Sequence, residues 1–96
     1  MAHDNTLELD SIVVQSSDPL EAPLGEETVL MSIDRGNYYS ISDTAGDIWG
    51  RLKTPLRIKE LCAALASEYG ADEAQVIADT MAFLEHLAAE GLIEVR

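Results

Sequence analysis

Three short stretches in the first half of the chain carry strand-like patterns of apolar and polar positions. Ser11–Gln15 (SIVVQ) is rich in β-branched residues and reads as a first strand. Glu27–Ile33 reads as a second, with Val29, Met31 and Ile33 on one face and Leu30 and Ser32 on the other. Asn37–Ser42 reads as a third, its faces being Tyr39 with Ile41 and Tyr38 with Ser40. The turn Asp34-Arg35-Gly36-Asn37 makes the last two an antiparallel hairpin, because Gly36 accepts a positive φ without strain. Ser16–Glu26 holds Pro19, Pro23, Gly25 and several acids and reads as a loop, since proline is out of place in a central strand.

The period then changes to that of a helix. Ser42, Asp43 and Thr44 supply N-cap residues, and Ala45, Ile48, Trp49 and Leu52 follow on one face. Pro55 ends that helix. A second is expected over Leu56–Tyr69, with a buried stripe of Ile58, Leu61, Cys62, Leu65 and Tyr69, and Gly70 as its stop. Asp72-Glu73-Ala74-Gln75 resembles a capping box, with Gln75 reaching back to Asp72. The third helix runs from there to Glu90, where Gly91 and Leu92 predict a Schellman closure. Its apolar residues, Val76, Ile77, Thr80, Met81, Phe83, Leu84, Leu87 and Ala88, fill an arc of roughly 160° at 100° per residue. A helix packed on one core needs a stripe of about 100° or somewhat more. The excess fits a second contact, or a central helix flanked on both sides by the other two.

The expected fold is thus α+β and winged-helix-like: a three-stranded antiparallel sheet followed by three helices. Residues 1–10 are expected to form a flexible tail and residues 11–96 a single domain. Ninety-six residues hold one modest core. No apolar run is long enough to span a bilayer and no secretory signal is visible, which points to the cytoplasm. Eighteen acids against six bases give a net charge of −12. Such a field repels phosphate backbones and argues against nucleic-acid binding. The charge is uneven: residues 1–34 hold eight carboxylates and no Lys or Arg, whereas Arg51, Lys53, Arg57 and Lys59 fall within nine residues. That cluster reads either as a solvated helix end or as a docking patch for an acidic partner surface.

Catalytic constellations are missing from the pattern. His3 lies in the tail and His86 on the polar side of the third helix. Cys62, the single cysteine, sits on an apolar stripe as a small core residue. There is no phosphate-binding glycine loop, no serine elbow and no paired metal ligands, and the one metal pairing worth naming, Asp34 with Asp43, is set aside. The expectation is a protein that is not an enzyme and needs no cofactor or metal.

The run DRGNYYSISDTAGDIWGRL resembles the core of PqqD-like proteins, in which a turn, an aromatic strand, a capped helix start and an Ile-Trp helix face occur in this order. The later DTMAFLEHLAAEGLI resembles their last helix. The likeness covers Glu27 to Val95. The chain departs from the pattern at Ser42-Asp43 and in its long acidic N-terminal part. The resemblance implies a recognition element for ribosomally synthesised, modified peptides: a non-catalytic adaptor that binds the leader segment of a precursor by strand addition and presents it to a processing enzyme. Among such modules it favours the free-standing type of lasso-peptide pathways, beside a transglutaminase-like cysteine protease. The implied binding residues are Tyr38, Tyr39, Ser40 and Ile41 at the strand edge, with Ile77, Thr80, Met81 and Leu84 as the helix wall; Val76, Phe83 and Leu87 fall to the core. Arg51, Lys53, Arg57 and Lys59 become the docking patch for the enzyme. The alternatives are an adaptor for a radical-SAM peptide-modifying enzyme and a generic interaction or dimerisation module. A winged-helix DNA binder is disfavoured, because the third helix carries five acids and no Lys or Arg.

Overall fold

A computed structural model describes residues 7–17, 19–33 and 35–96. Val13 and Val14 are both buried, although side chains alternate faces along a strand. Their strand β1 (Ile12–Gln15) therefore has cover on two sides. It lies between two short strands that the sequence pattern did not reveal. One is β5 (Leu56–Arg57), immediately before the second helix; the other is β6 (Ile93–Val95), near the C-terminus. Both pairings are antiparallel, with Val13 opposite Leu56 on one side and Val95 on the other. Two or three residues are too few for a period to show.

The remaining strands make a second antiparallel sheet in the order β2-β3-β4. Here β2 (Leu20–Leu24) occupies what was expected to be loop, and β3 (Glu27–Ser32) and β4 (Asn37–Ile41) form the predicted hairpin. The expected single sheet of three strands is corrected accordingly: β1 leaves it for the other sheet, and β2 takes its place. Pro23 does not forbid β2, because this strand pairs only with β3 and its other side needs no N–H donor. Gly25 at φ +66 opens the two-residue turn between β2 and β3, a position that asks for glycine.

Three helices complete the α+β fold: α1 (Asp43–Arg51), α2 (Ile58–Tyr69) and α3 (Glu73–Ala89). Their ends follow the sequence. Gly70 closes α2 in the left-handed conformation. At α3 the Asp72 carboxylate accepts from the Gln75 N–H at 3.1 Å. The Gln75 side chain does not complete a capping box; it donates forward to Asp79 Oδ1 at 3.0 Å. The Gly91 and Leu92 N–H groups bond the carbonyls of Ala88 and Leu87, the Schellman closure, and Leu92 is buried.

The core gathers Leu30 and Ile41 from the β2-β3-β4 sheet, Ile48, Trp49 and Leu52 from α1 and its end, the α2 stripe, and Leu84 and Leu87 from α3. Tyr69 is not part of the stripe; it is 51% exposed. Residues 7–10 are not a tail. Leu7 is 3% exposed in the core, and the Leu9 carbonyl accepts from the Lys59 N–H, while residues 1–6 lie outside the described residues. The other face of the β2-β3-β4 sheet is uncovered. Leu20, Met31 and Tyr38 stand directly opposite one another across its three strands, all exposed, with Ile33 beyond them.

Arg51 fastens α1 to α2. Its guanidinium donates to Asp47 at 2.9 and 3.2 Å and to Glu68 at 2.5 and 3.2 Å, and the Tyr69 hydroxyl also donates to Asp47. Bonds from Arg51 first and Tyr69 second hold the Asp47 carboxyl below its ordinary value, and those to Glu68 first and Asp47 second raise the guanidinium further. A depressed carboxylate contributes stability that is present above its unfolded pKa of about 4 and lost as pH falls through the lower folded value. Arg51→Met is expected to cost about 1–2 kcal/mol at neutral pH, the partly exposed Glu68 contact adding little. Denaturant titrations at a series of pH values check this: the gap between parent and variant should narrow below about pH 4.

Candidate functional site

The free edge of β4 and the facing side of α3 form the two banks of a trough. Among the described residues β4 has β3 as its one strand partner. In an antiparallel pair alternate residues turn their N–H and C=O groups away from the partner, so this edge offers unpaired donors and acceptors. Tyr39 and Ile41 face the helices, opposite Leu30 and Thr28 of β3. Tyr38, 75% exposed, and Ser40 face outward, and the Ser40 hydroxyl donates to Glu27.

Two cavities lie along the trough. The first, about 450 Å³, is lined by Tyr39, Ser40, Ile41, Ser42, Ala45, Phe83, His86 and Leu87. The second, about 360 Å³, is lined by Thr44, Ala45, Ile48, Leu65, Tyr69, Ala71, Val76, Asp79, Thr80 and Phe83. They meet at Ala45 and Phe83, so one trough runs from the strand edge across α1 to the start of α3. Small Ala45 on α1 leaves the space, and Phe83 on α3 projects into it from the other bank. Between strand and helix, Asp43 takes φ +55, a conformation that aspartate tolerates better than most side chains.

Tyr39 closes one end. Its hydroxyl donates to the Glu90 carboxylate, and its ring meets His86 edge-on with centroids 5.9 Å apart. Arg35, in the hairpin turn, reaches the same carboxylate at 3.9 Å. The bond to Glu90 is the main reason why the Tyr39 phenol is raised above its ordinary value, since the ionised form has no proton to donate. The hairpin is thereby tied to the C-terminal end of α3.

The residues named from the sequence are dispersed more than expected. Tyr39, Ser40 and Ile41 line the first cavity, and Tyr38 points to the other face of the sheet. Thr80 is buried and lines the second cavity. Leu84 is wholly buried in the core, and Ile77 and Met81, half-buried against the core, line neither cavity. The helix bank is made instead by Val76, Asp79, Thr80, Phe83, His86 and Leu87. Phe83 and Val76 belong to the same wide apolar arc, which marked an excess without saying which flank carried it. His86 and Asp79 looked like solvated polar positions, and only their place beside the strand edge distinguishes them.

The four bases also separate. Arg51 is held by Asp47 and Glu68. Arg57 donates to the Asp10 carbonyl at 3.0 Å, and Lys59 pairs with the Asp10 carboxylate at 3.2 Å. Burial pushes the Cys62 thiol up, which leaves it protonated at neutral pH. Asp34, half of the metal pairing set aside above, lies outside the described residues; among those described, no three metal-ligating side chains cluster. No helix among them is long and apolar enough to cross a membrane.

A solved structure, TbiB1 in complex with the TbiA(beta) leader peptide, is similar to this chain with a TM-score of 0.75 and 30% sequence identity, covering 84% of this chain and 94% of that one. No curated protein matches the sequence. The family described as Coenzyme PQQ synthesis protein D (PqqD) matches residues 27–93, from the first residue of β3 to the first of β6. That span takes in both banks of the trough, and this chain belongs to the PqqD family.

Proposed function

We propose that this protein is a non-catalytic adaptor that binds the leader segment of a ribosomally synthesised precursor peptide and presents it to a processing enzyme. The observation that carries the reading is the unpaired edge of β4 beside an apolar trough, in a chain whose similar structure, TbiB1, is in complex with a leader peptide. An extended peptide adds to the edge as a fourth strand. Main-chain hydrogen bonds supply affinity, and alternate side chains entering the trough fix the register. The wall is the Phe83–His86 flank of α3 rather than the Ile77–Met81 flank.

The partner favoured is the leader peptidase of a lasso-peptide pathway, a transglutaminase-like cysteine protease, in the cytoplasm. Lys53, Arg57 and Lys59 serve as its docking patch; Arg51 is left out because its guanidinium is held between two carboxylates, Asp47 and Glu68, whereas Lys59 pairs with the one exposed carboxylate of Asp10. The patch lies around the α1–α2 connection and the first turn of α2, away from β4.

Strand addition is tested with leader peptides N-methylated at one amide at a time, titrated by fluorescence anisotropy. Methylation at alternate amides should weaken binding about five- to thirtyfold per site, since each blocked main-chain bond in a dry edge costs on the order of 1–2 kcal/mol. A uniform, small effect at every amide would mean that the peptide lies in the trough without pairing.

The position of the wall is tested with a pair of variants. Phe83→Glu places a carboxylate where the two cavities meet and should weaken leader binding by about 1–3 kcal/mol. Met81→Glu should leave affinity within about twofold. The opposite ranking, with both variants folded by circular dichroism, places the peptide on the other flank.

For the docking patch, Lys53→Glu combined with Lys59→Glu should leave leader affinity unchanged and slow leader-dependent processing, most at low salt, where screening over about 8 Å is relaxed. Equal processing rates at low salt would return these lysines to a solvated surface.

A further inference from the structure

Among the described residues Asp79 is the one carboxylate that lines the trough. It stands at the second cavity, beyond the end of β4, on an otherwise apolar wall of Ala45, Ile48, Val76 and Phe83. Of the hydroxyls there, that of Tyr69 is already bonded to Asp47, and Thr80 is buried. Asp79 spends one oxygen, Oδ1, on Gln75 at 3.0 Å, and among the described residues its Oδ2 has no partner. None of the residues lining either cavity is Lys or Arg. The surroundings add to the negative field: Asp72 and Glu73 begin the same helix, and Asp43 begins α1.

We infer that this cavity is a subsite for a long basic side chain, Lys or Arg, of the bound peptide, with Asp79 as the residue that sets the preference. The inference rests on the leader-binding reading above and adds a chemical class to it. Three kinds of side chain compete for the cavity. A purely apolar one fills it but covers the Asp79 carboxylate and strips it of water without a partner. An acidic one meets like charge. A basic one satisfies both requirements: its methylene stem lies along Ala45, Ile48 and Val76, its head reaches Asp79 Oδ2, and the Phe83 ring face adds a favourable surface for a cation. Affinity gained here is separate from the main-chain pairing along β4, so the subsite selects among leaders rather than deciding whether a strand binds.

The test uses the full chain and a displayed library of short random peptides. Peptides selected by the parent protein should share a Lys or Arg at one fixed spacing from their apolar positions. Asp79→Asn should bind those same peptides about five- to tenfold more weakly and, in a fresh selection, lose the basic position. Asp79→Lys should select Asp or Glu there. Glu85→Gln removes the same charge from a position of α3 that lines neither cavity, and it should change nothing. Asp79 and Glu85 are both exposed, and circular dichroism verifies that the variants fold. The inference is overturned if the selected peptides carry no basic position. It is equally overturned if Asp79→Asn binds them as the parent does, or if Glu85→Gln weakens them as much, since the preference would then come from the overall acidity of the protein. Selection of no peptide at all would remove the leader-binding reading itself, an outcome distinct from these.

Discussion

Trp49 is bonded to both sheets at once. Its backbone carbonyl accepts from the Gln15 side chain of β1 at 2.7 Å, and its indole N–H donates to Glu21 of β2 at 2.9 Å. The ring between these bonds is 2% exposed and packs in the core. A large aromatic group with a single donor can be buried only where that donor finds an acceptor, and here the acceptor lies on the edge strand of the β2-β3-β4 sheet. The constraint fixes how that sheet sits over α1. The distance between β4 and α3 follows from it, and so does the width of the trough. Removing the indole N–H would leave the Glu21 carboxylate beside an apolar ring, so the contact penalises other docking angles as much as it rewards this one.

A second tie acts at the far end, where Tyr39 and Arg35 converge on Glu90. The sheet is thus held to the helices at both of its edges, by Trp49 through Glu21 of β2 and by Tyr39 of β4 through Glu90. Among the described residues β3 is the one strand that pairs with β4. The main chain of β4 is free on its other side to accept another strand, and the small side chain of Ala45 leaves room beneath it. On the reading proposed above, an extended chain would meet a site already held at both edges of the sheet, so that little ordering of the protein is needed on binding.

What the sequence made legible was local. The helix ends could be read because their signals are single residues with a definite backbone consequence: Gly70, Asp72 and Gly91. The β3–β4 hairpin could be read from Gly36 between two alternating runs. The misses have physical causes. β2 was hidden by Pro23, whose effect depends on whether the strand is an edge, and that is a property of the sheet. β5 and β6 are stabilised by pairing with β1, far away in the chain, and carry no period of their own. The trough was legible in part: Tyr39, Ser40 and Ile41 on one bank and Thr80 on the other. The wide arc of α3 announced two contacts, but no local rule says whether the sheet takes the Phe83 flank or the Met81 flank. That choice is made by Trp49 and Tyr39, through partners that the periodicity of α3 does not contain.

The uncovered row of Leu20, Met31 and Tyr38 has a consequence for how this molecule keeps its own company. A sheet with a bare apolar face and an edge prepared for strand addition is also a template for self-assembly. Pro23 blunts the β2 edge, but β4 has no such guard, because a guard there would close the trough. The protection must then act at a distance, and the net charge of −12 supplies it. Two copies approaching edge to edge repel one another, whereas a short peptide of modest charge does not meet the same barrier. Near pH 4.2, where that charge vanishes, or in concentrated salt, the barrier falls and the open edge becomes available to like molecules. The acidity of this surface thus acts as a colloidal filter against the sheet edge that it would most readily match.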